Sequence, residues 1–232
     1  MLKPWLVERW CLSKPDGAYL ACMEDVLDLY EQPTDPRCPR LVFDERPCQL
    51  LDDTREPLPL QVGSSRKVDD EYERCGTCTL FLAYDLESGQ RYVQVRAHRT
   101  KADYAAFWDW LITTYYPTAA GLHVVQDNLN THTYGAFYEH LPVVRAHQLK
   151  NLLHFHFTPK HGSWLNIAEI ELSVLVRQCL DRRLPSQQAL ETEALAWASR
   201  RNAAGIRTEW RFTTAIARSK LKRHYPPINS NN

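Results

Sequence analysis

Two acidic side chains end apolar stretches of this sequence and could act together in metal-dependent chemistry. Asp44 follows the apolar residues 41–43, and Asp127 closes the run 121–126, whose valines are typical of a buried strand. Open α/β sheets place their sites at the carboxyl ends of such strands. Carboxylates there can converge to metal-ligand distance, and their hard oxygen ligands suit Mg²⁺ or Mn²⁺. For Asp127, a simple capping role at a strand–helix turn is the alternative.

A third carboxylate is needed to hold two ions, and a helix predicted over residues 164–183, capped by Ser163, offers Glu169 and Glu171. Residues two apart on a helix point about 200° apart, so only one of them can face a common site. Glu169 belongs to a polar stripe that contains Asn166, Ser173 and Arg177. Glu171 belongs to an apolar stripe that contains Ile167, Ala168, Val174 and Leu175. We therefore predict Glu169 as the ligand, with a solvent-facing stripe as its alternative, and expect replacement of Glu171 to change stability only modestly.

Two divalent ions held by three such acids would perform phosphoryl transfer. They would clamp the attacking and the leaving oxygen of an in-line displacement. One ion would lower the pKa of a water or 3′-hydroxyl nucleophile, and the other would stabilise the departing oxygen. This chemistry requires no histidine base.

The elements that must position these acids predict an α/β fold. Residues 40–44 form a first strand, and Pro47 is expected to limit central pairing beyond it. Four further strands are predicted at 77–84 and 92–97, which form a hairpin, and at 121–126 and 152–157. Helices are predicted at 19–30, 101–115 after a Thr100 cap, 134–140, 164–183 and 186–203. This order favours a mixed five-stranded sheet with helices on both faces.

The composition is that of a globular protein without a membrane segment. The 232 residues are 44% hydrophobic and 24% charged, which is ordinary for a soluble domain. The sequence shows neither a long apolar run nor a secretory signal, so a cytoplasmic location is expected. Seven cysteines, an odd number, favour reduced thiols over a disulfide framework.

The net charge is zero, but the charges are unevenly distributed along the chain. Residues 1–90 carry 18 acids and 10 Lys or Arg residues, whereas residues 91–232 carry 10 acids and 18 Lys or Arg residues. Residues 200–224 contain eight basic residues and one acid, Glu209. This region could follow a phosphate backbone, although a solvated basic helical surface is an equal alternative.

Three segments resemble the motif blocks of DDE transposases, most closely those of the bacterial insertion sequence 630 family within the mariner superfamily. The segments are Val-Phe-Asp-Glu at 42–45, Val-Gln-Asp-Asn-Leu-Asn-Thr-His at 125–132, and Thr-Pro-Lys-His-Gly-Ser-Trp-Leu-Asn-Ile-Ala-Glu at 158–169. The last two blocks are specific, and the similarity extends from about residue 20 to residue 225.

The resemblance implies a ribonuclease H-like fold and a metal-dependent DNA endonuclease and strand transferase. Such an enzyme cleaves DNA at transposon ends and joins the freed 3′ ends to target DNA during transposition. The resemblance carries over Asp44, Asp127 and Glu169 as catalytic residues and as ligands of two Mg²⁺ or Mn²⁺ ions. It further implies DNA as partner, a homodimer in the synaptic complex, and a nucleoid-associated bacterial protein.

The sequence departs from the family pattern in two places. Forty-one residues lie between Asp127 and Glu169, more than is usual, and we expect the excess in a loop near 143–151. Such transposases also carry helix-turn-helix domains ahead of the catalytic one, for which residues 1–39 are too short. We predict an N-terminal arm or linker at 1–39, a catalytic domain at 40–225 and a tail at 226–232. The helix-turn-helix region is expected to be missing or encoded separately, as in a truncated or split reading frame.

Weaker candidates surround these acids. Six residues could position groups near the ions or contact DNA, with structural hydrogen bonding as the alternative: Asn128, His132, Lys160, His161, Asn166 and Arg177. Cys75 and Cys78 form a CxxC motif without a second pair, so zinc or redox chemistry is disfavoured. His154 and His156 alternate with phenylalanines and are expected on one sheet face rather than as metal ligands.

Two other functions fit parts of this pattern. A transposase remnant could keep the fold for DNA binding or dimerisation without catalysis, although all three acids are intact. A sugar hydrolase with two catalytic carboxylates would need no metal. Chelation by EDTA and stabilisation by Mn²⁺ distinguish these alternatives from the transposase.

Overall fold

The computed structural model describes residues 16–59, 62–63, 67 and 69–225, so the predicted tail and the first part of the predicted arm lie outside it. The strands of the described residues are β1 (Arg40–Asp53), β2 (Tyr72–Asp85), β3 (Arg91–Arg96), β4 (Leu122–Gln126) and β5 (Leu153–Phe157). The α-helices are α1 (Gly17–Glu31), α2 (Lys101–Tyr115), α3 (Tyr134–His140), α4 (Val143–Leu152), α5 (Ile167–Leu175), α6 (Gln187–Ala203) and α7 (Thr214–Lys220). No helix within these ranges is both long and apolar enough to cross a bilayer.

The five strands form one mixed sheet in the order β3-β2-β1-β4-β5. β1, β2 and β3 pair antiparallel, whereas β4 pairs parallel with β1 and β5 pairs parallel with β4. The parallel half follows from the helical crossovers that precede β4 and β5, because parallel neighbours need a long connection. The predicted mixed five-stranded sheet is confirmed.

Alternation along the central strands fills two separate hydrophobic cores. Val42 of β1 faces a core shared with α1, α5 and α6, whereas its neighbour Phe43 faces a core shared with α2, α3 and α4. Successive strand residues point to opposite faces, so one strand supplies both cores. Helices therefore cover both faces of the sheet, as predicted.

Helix α1 lies within residues 1–39, which were predicted as an arm or linker, and it contributes to the first core. Met23, Val26 and Leu27 are fully buried there. The buried Arg40 guanidinium binds the C-terminal end of α1 by donating to the backbone oxygens of Leu29, Tyr30 and Gln32. Carbonyls at the end of a helix lack the usual partners four residues ahead, and a cation stabilises them.

Pro47 was expected to limit central pairing, and beyond residue 42 β1 is paired on one side only, with β2. β1 continues to Asp53, and Pro47 lies opposite Thr79 of β2. β4 pairs with β1 only over residues 40–42, so one edge of β1 is open beyond that point. A proline is tolerated on such an edge because its missing N–H leaves no ladder bond unmade.

The expected loop near 143–151 is wrong, because this segment is helix α4. Ala146 and Leu149 are buried on its inner side, and Pro142 lies at its N-cap position. The extra length between Asp127 and Glu169 is therefore packed structure.

The single helix predicted at 164–183 is divided into three pieces. A 3₁₀ turn at Ser163–Leu165 precedes α5, and a π-helical turn at Val176–Leu180 follows it. Asn166, rather than Ser163, caps α5: its side-chain oxygen accepts from the backbone N–H of Ala168 at 3.1 Å. An asparagine cap fits the extended backbone that the turn imposes at this residue.

Candidate active site

The sheet register brings Asp44 and Asp127 to the same level of neighbouring strands. The last paired residues of β1 and β4 are Val42 and Val125. Asp44 and Asp127 each lie two residues further along, on strands that are about 4.8 Å apart where they pair. Both carboxylates therefore lie where β1 and β4 separate, at the carboxyl end of the parallel half of the sheet.

Glu169 is brought to this edge by Asn166. Besides capping α5, the Asn166 amide donates to the backbone oxygen of Phe43 at 2.9 Å, immediately before Asp44. This buried side chain ties the first turn of α5 to β1. Glu169 lies in that first turn and points outward, so the acid approaches Asp44 from the helix side.

A cleft of about 410 Å³ contains Asp44 and Glu169 together with two arginines. Its lining includes Asp44, Arg46, Glu169, Ser173 and Arg177. A larger hollow of about 770 Å³ lies elsewhere, and two of its acids are paired, Glu193 with Arg182 and Asp53 with Arg183. The smaller cleft is the one that contains Asp44 and Glu169.

The charges of the acids act on one another. Burial first, and then the negative charges of Glu45, Asp127 and Glu169, raise the pKa of Asp44 to about 7, against a hydrogen bond from the Glu45 N–H. Burial and the Asp127 charge also raise the pKa of Glu169, although Ser163 donates to it. Mutual repulsion of this kind is what a bound cation would relieve.

The donor set fits a hard divalent cation, because its members are carboxylate oxygens. As the side chains lie, no group of three or more potential ligands among the described residues is close enough together to hold one metal ion. Asp44, Asp127 and Glu169 could hold Mg²⁺ or Mn²⁺ once the ion's charge draws the side chains together.

His132 contacts Asp127 directly. Its Nδ1 lies 2.7 Å from Asp127 Oδ1, and its Nε2 lies 2.9 Å from Glu45 Oε2. Burial lowers the pKa of His132, but the two carboxylates outweigh it and raise that pKa to about 9. For Asp127, burial acts to raise the pKa, yet the bond and charge of His132 hold the pKa below its usual value.

Of the remaining predicted site residues, some make structural hydrogen bonds and others are exposed. Asn128 donates to the backbone oxygen of Thr158 at 2.7 Å and closes the loop after β4. Asn166 is buried and structural, as described above. Lys160 and His161 are exposed beside Asn128, where His161 has a positive φ of 63°. Arg177 lines the acidic cleft.

Glu45 was not predicted as a site residue, although its side chain is only 4% exposed and binds His132. Its partner lies 87 residues away, so no local pattern connects the two. The sequence did contain one signal, the position of Glu45 directly after Asp44. Side chains alternate along a strand, so Glu45 is expected on the opposite face of the strand from Asp44.

Glu171 lies on the buried, apolar side of α5, as expected, but an ion pair there contradicts the modest effect expected of its replacement. Glu171 is buried in an ion pair with Arg91, with Nε–Oε2 and Nη2–Oε1 distances of 2.6 and 2.8 Å. Thr208 and Arg201 add further contacts to the same carboxylate. Burial raises the pKa of Glu171, but the hydrogen bonds and charge of Arg91 lower it overall. This acid is therefore committed to the core and is turned away from the cleft.

The other cysteine and histidine candidates lie outside the cleft. Cys75 is exposed and Cys78 is buried on β2, with Gly76 at a φ of 101° between them. His154 and His156 share a sheet face with His123, whose Nδ1 lies 3.0 Å from His156 Nε2.

Comparison with known proteins identifies the family. The family model described as DDE superfamily endonuclease matches residues 39–191. A search of curated proteins found no match. The matched segment is more than half of the chain and contains all three acids of the site.

Several solved structures of the Mos1 mariner transposase are similar in fold. The paired-end complex with Mn has a TM-score of 0.55 at 14% identity, over 97% of this chain and 66% of that one. The strand transfer complex has a TM-score of 0.61 at 15% identity, over 99% and 68%. The pre-cleavage transpososome has a TM-score of 0.55 at 15% identity, over 97% and 68%.

At these identities the likeness concerns the fold, and it confirms the ribonuclease H-like class. The chain spans about two thirds of the length of the Mos1 chains that it matches. Given the family match across both aspartates and the glutamate, this chain belongs to the DDE superfamily of endonucleases.

Proposed function

We propose that this chain is the catalytic domain of a transposase of the insertion sequence 630 family. It would cleave DNA at transposon ends and join the freed 3′ ends to target DNA. The observation that supports the proposal is that Asp44, Asp127 and Glu169, from three separate elements, lie near enough at one edge of the sheet for their charges to act on one another. The family match and the transposase complexes of similar fold support it.

Asp44, Asp127 and Glu169 are the proposed ligands of two Mg²⁺ or Mn²⁺ ions. When bound, such ions activate the attacking oxygen and stabilise the departing one. The protein's own part is to hold the three carboxylates in place through the β1–β4 register and the Asn166 anchor. Without a cation the three carboxylates repel one another. Binding a cation removes this repulsion and so makes metal binding more favourable.

Basic side chains around the cleft are the proposed contacts for the DNA backbone. Arg46 and Arg177 line the cleft, and the charge of Arg99 acts on Asp127. By contrast, part of the basic C-terminal region is paired within the chain, through Arg201 with Glu171 and Arg218 with Glu24. Free cations near the acids can neutralise phosphates next to the scissile bond.

The further partners are part of the proposal. DNA of both the transposon ends and the target would occupy the cleft, and a second copy of the chain would complete a synaptic homodimer. Recognition of specific sequences would fall to a helix-turn-helix region separate from residues 40–225. The complexes of the Mos1 transposase, described as paired-end and strand transfer complexes, support this assembly by analogy.

The test is nicking of supercoiled plasmid DNA by the full chain in the presence of Mn²⁺. Asp127→Asn should reduce nicking by orders of magnitude, because it removes a charged ligand while keeping the size of the side chain. Glu139→Gln is the matched control, since Glu139 is exposed and pairs only at the surface with Lys101. Plasmid binding without nicking would favour the remnant, and activity that persists in EDTA would contradict the metal mechanism.

A further inference from the structure

A chain of polar contacts runs beneath the proposed metal site from β1 to Asp127. It begins at Glu45, whose Oε2 lies 2.9 Å from His132 Nε2. It continues through the imidazole, whose Nδ1 lies 2.7 Å from Asp127 Oδ1 and 3.3 Å from the Asp127 backbone oxygen. Both ring nitrogens face oxygen acceptors. The two contacts make the imidazole a link between Glu45 and Asp127, with an N–H able to donate to a carboxylate.

The surroundings of His132 prevent the ring from leaving this orientation. The side chain is 1% exposed. Its ring stacks on Tyr104, with centroids 4.9 Å apart, and meets the edge of Phe43 at 5.3 Å. The Gln126 amide, which accepts from the Tyr104 hydroxyl at 2.8 Å, lies next to the His132 backbone oxygen. A ring enclosed in this way turns only if its partners move.

One carboxylate oxygen of Asp127 is engaged in two contacts. Oδ1 receives both the His132 Nδ1 contact and the Leu129 backbone N–H at 3.1 Å. The side chain is half exposed and its charge acts on Asp44 and Glu169, so Oδ2 is left available on the side of these acids. A carboxylate held by one oxygen presents the other in a fixed direction, which is how outer partners orient metal ligands.

Glu45 is suited to this role because it follows Asp44 on the strand. Alternation places the two carboxylates on opposite faces of β1. Both residues border the cleft, but the Glu45 side chain is only 4% exposed and its carboxylate contacts His132. A buried carboxylate is retained only if it is paired, and its partner here is His132.

We propose that Glu45 is a positioning residue for the metal site: through His132 it fixes Asp127 so that Oδ2 is directed at the ion. The inference rests on the proposed function. The Glu45–His132 pair would act on the metal site through Asp127, and neither side chain would contact the ion or the DNA. Loss of the pair should therefore weaken metal binding without removing a ligand.

The experiment measures Mn²⁺ affinity of the full chain by calorimetry. Glu45→Gln, which keeps size but replaces the carboxylate that contacts the His132 ring, should weaken Mn²⁺ binding by about 10- to 100-fold. His132→Gln should weaken it similarly. In the His132→Gln background, Glu45→Gln should add much less than it does in the wild type, because its positioning effect needs His132 and only the direct effect of its charge near Asp44 remains. Losses that multiply would show two independent effects and overturn the proposal.

A conservative pair of variants separates positioning from general damage. The amide nitrogen of asparagine takes about the place of Nδ1, so His132→Asn can still donate to Asp127. The amide nitrogen of glutamine takes about the place of Nε2, so His132→Gln cannot donate to Asp127. His132→Asn should therefore bind Mn²⁺ more tightly than His132→Gln, and equal affinities would contradict the positioning role.

The controls distinguish this inference from the proposed function. Glu139→Gln should bind Mn²⁺ like the wild type, and metal-free thermal unfolding should show that each variant is folded. If Glu45→Gln alone is unstable, Mn²⁺ binding is measured on the Glu45→Gln/His132→Gln variant, since that variant leaves no buried charge unpaired. If the wild type binds no Mn²⁺, both proposals fail. If Asp127→Asn loses binding but Glu45→Gln retains it in full, only the positioning role fails.

Discussion

Two glutamates of α5, two residues apart, should respond in opposite ways to the same substitution. Glu171 is 1% exposed and its partner Arg91 is fully buried, so Glu171→Gln leaves the Arg91 charge without a compensating anion. Arg201, 3.3 Å from the same carboxylate, then adds repulsion to that uncompensated charge. Breaking one side of a buried ion pair costs roughly 3 to 5 kcal/mol.

For a chain of this size 1 kcal/mol shifts the melting temperature by about 2 to 4 °C, so Glu171→Gln should lower it by roughly 10 °C. Glu169→Gln should leave the melting temperature unchanged or raise it. Its side chain is exposed, and the substitution removes repulsion from Asp127 and Asp44.

Circular dichroism melts of both variants without added metal make the comparison. A third variant, Arg91→Met/Glu171→Leu, removes both charges and should recover much of the loss, since apolar replacements of a buried pair are often tolerated. A Glu171→Gln melting temperature within about 2 °C of the wild type would refute the claim that this pair stabilises the core.

Three further predictions concern other parts of the molecule. Asn166→Ala should cost about 1 to 3 kcal/mol in urea unfolding, because it removes the α5 cap and the bond to Phe43; an unchanged midpoint would count against the anchor. Burial, then the charges of His156, His154 and Arg40, lower the pKa of His123 against an opposing effect of Asp25, so stability should be complete above about pH 6.5 and fall as pH drops below it. His123→Asn should flatten that fall in thermal melts at several pH values. In filter binding at several salt concentrations, Arg46→Ala and Arg177→Ala should each reduce the salt slope of DNA affinity by about 1, and unchanged slopes would place the DNA elsewhere.

Local patterns were sufficient for most elements of the fold. The alternation of Tyr92 to Arg96 predicts β3, and the Thr100 capping box marks the first turn of α2. These signals lie within one element, where side-chain period and backbone hydrogen bonding act together. The mixed sheet follows from their order along the chain.

An error arose where a partner distant in sequence decides the outcome. Glu171 lies on the apolar side of α5, as the local pattern predicts. Its partner there is Arg91, 80 residues earlier in the chain, so its replacement costs more than the local pattern indicates. Tertiary packing adds a contact that the local rule cannot contain.

Local patterns predict one part of the candidate site and not the other. Its three acids stand in sequence blocks that can be identified one at a time, and the turn at Asn166 that aims Glu169 is part of one such block. The Glu45–His132 contact joins two blocks and depends on the β1–β4 register. A register is a property of the assembled sheet, so this contact could not be predicted from the spacing of residues.

Calorimetric titration with Mn²⁺ tests the central claim, that Asp44, Asp127 and Glu169 together hold divalent ions. The wild-type chain should bind Mn²⁺, and Asp44→Asn, Asp127→Asn and Glu169→Gln should each weaken binding by at least an order of magnitude. Glu171→Gln, titrated below its melting temperature, should bind like the wild type. Full affinity in Glu169→Gln, or loss of binding in a folded Glu171→Gln, would contradict the account.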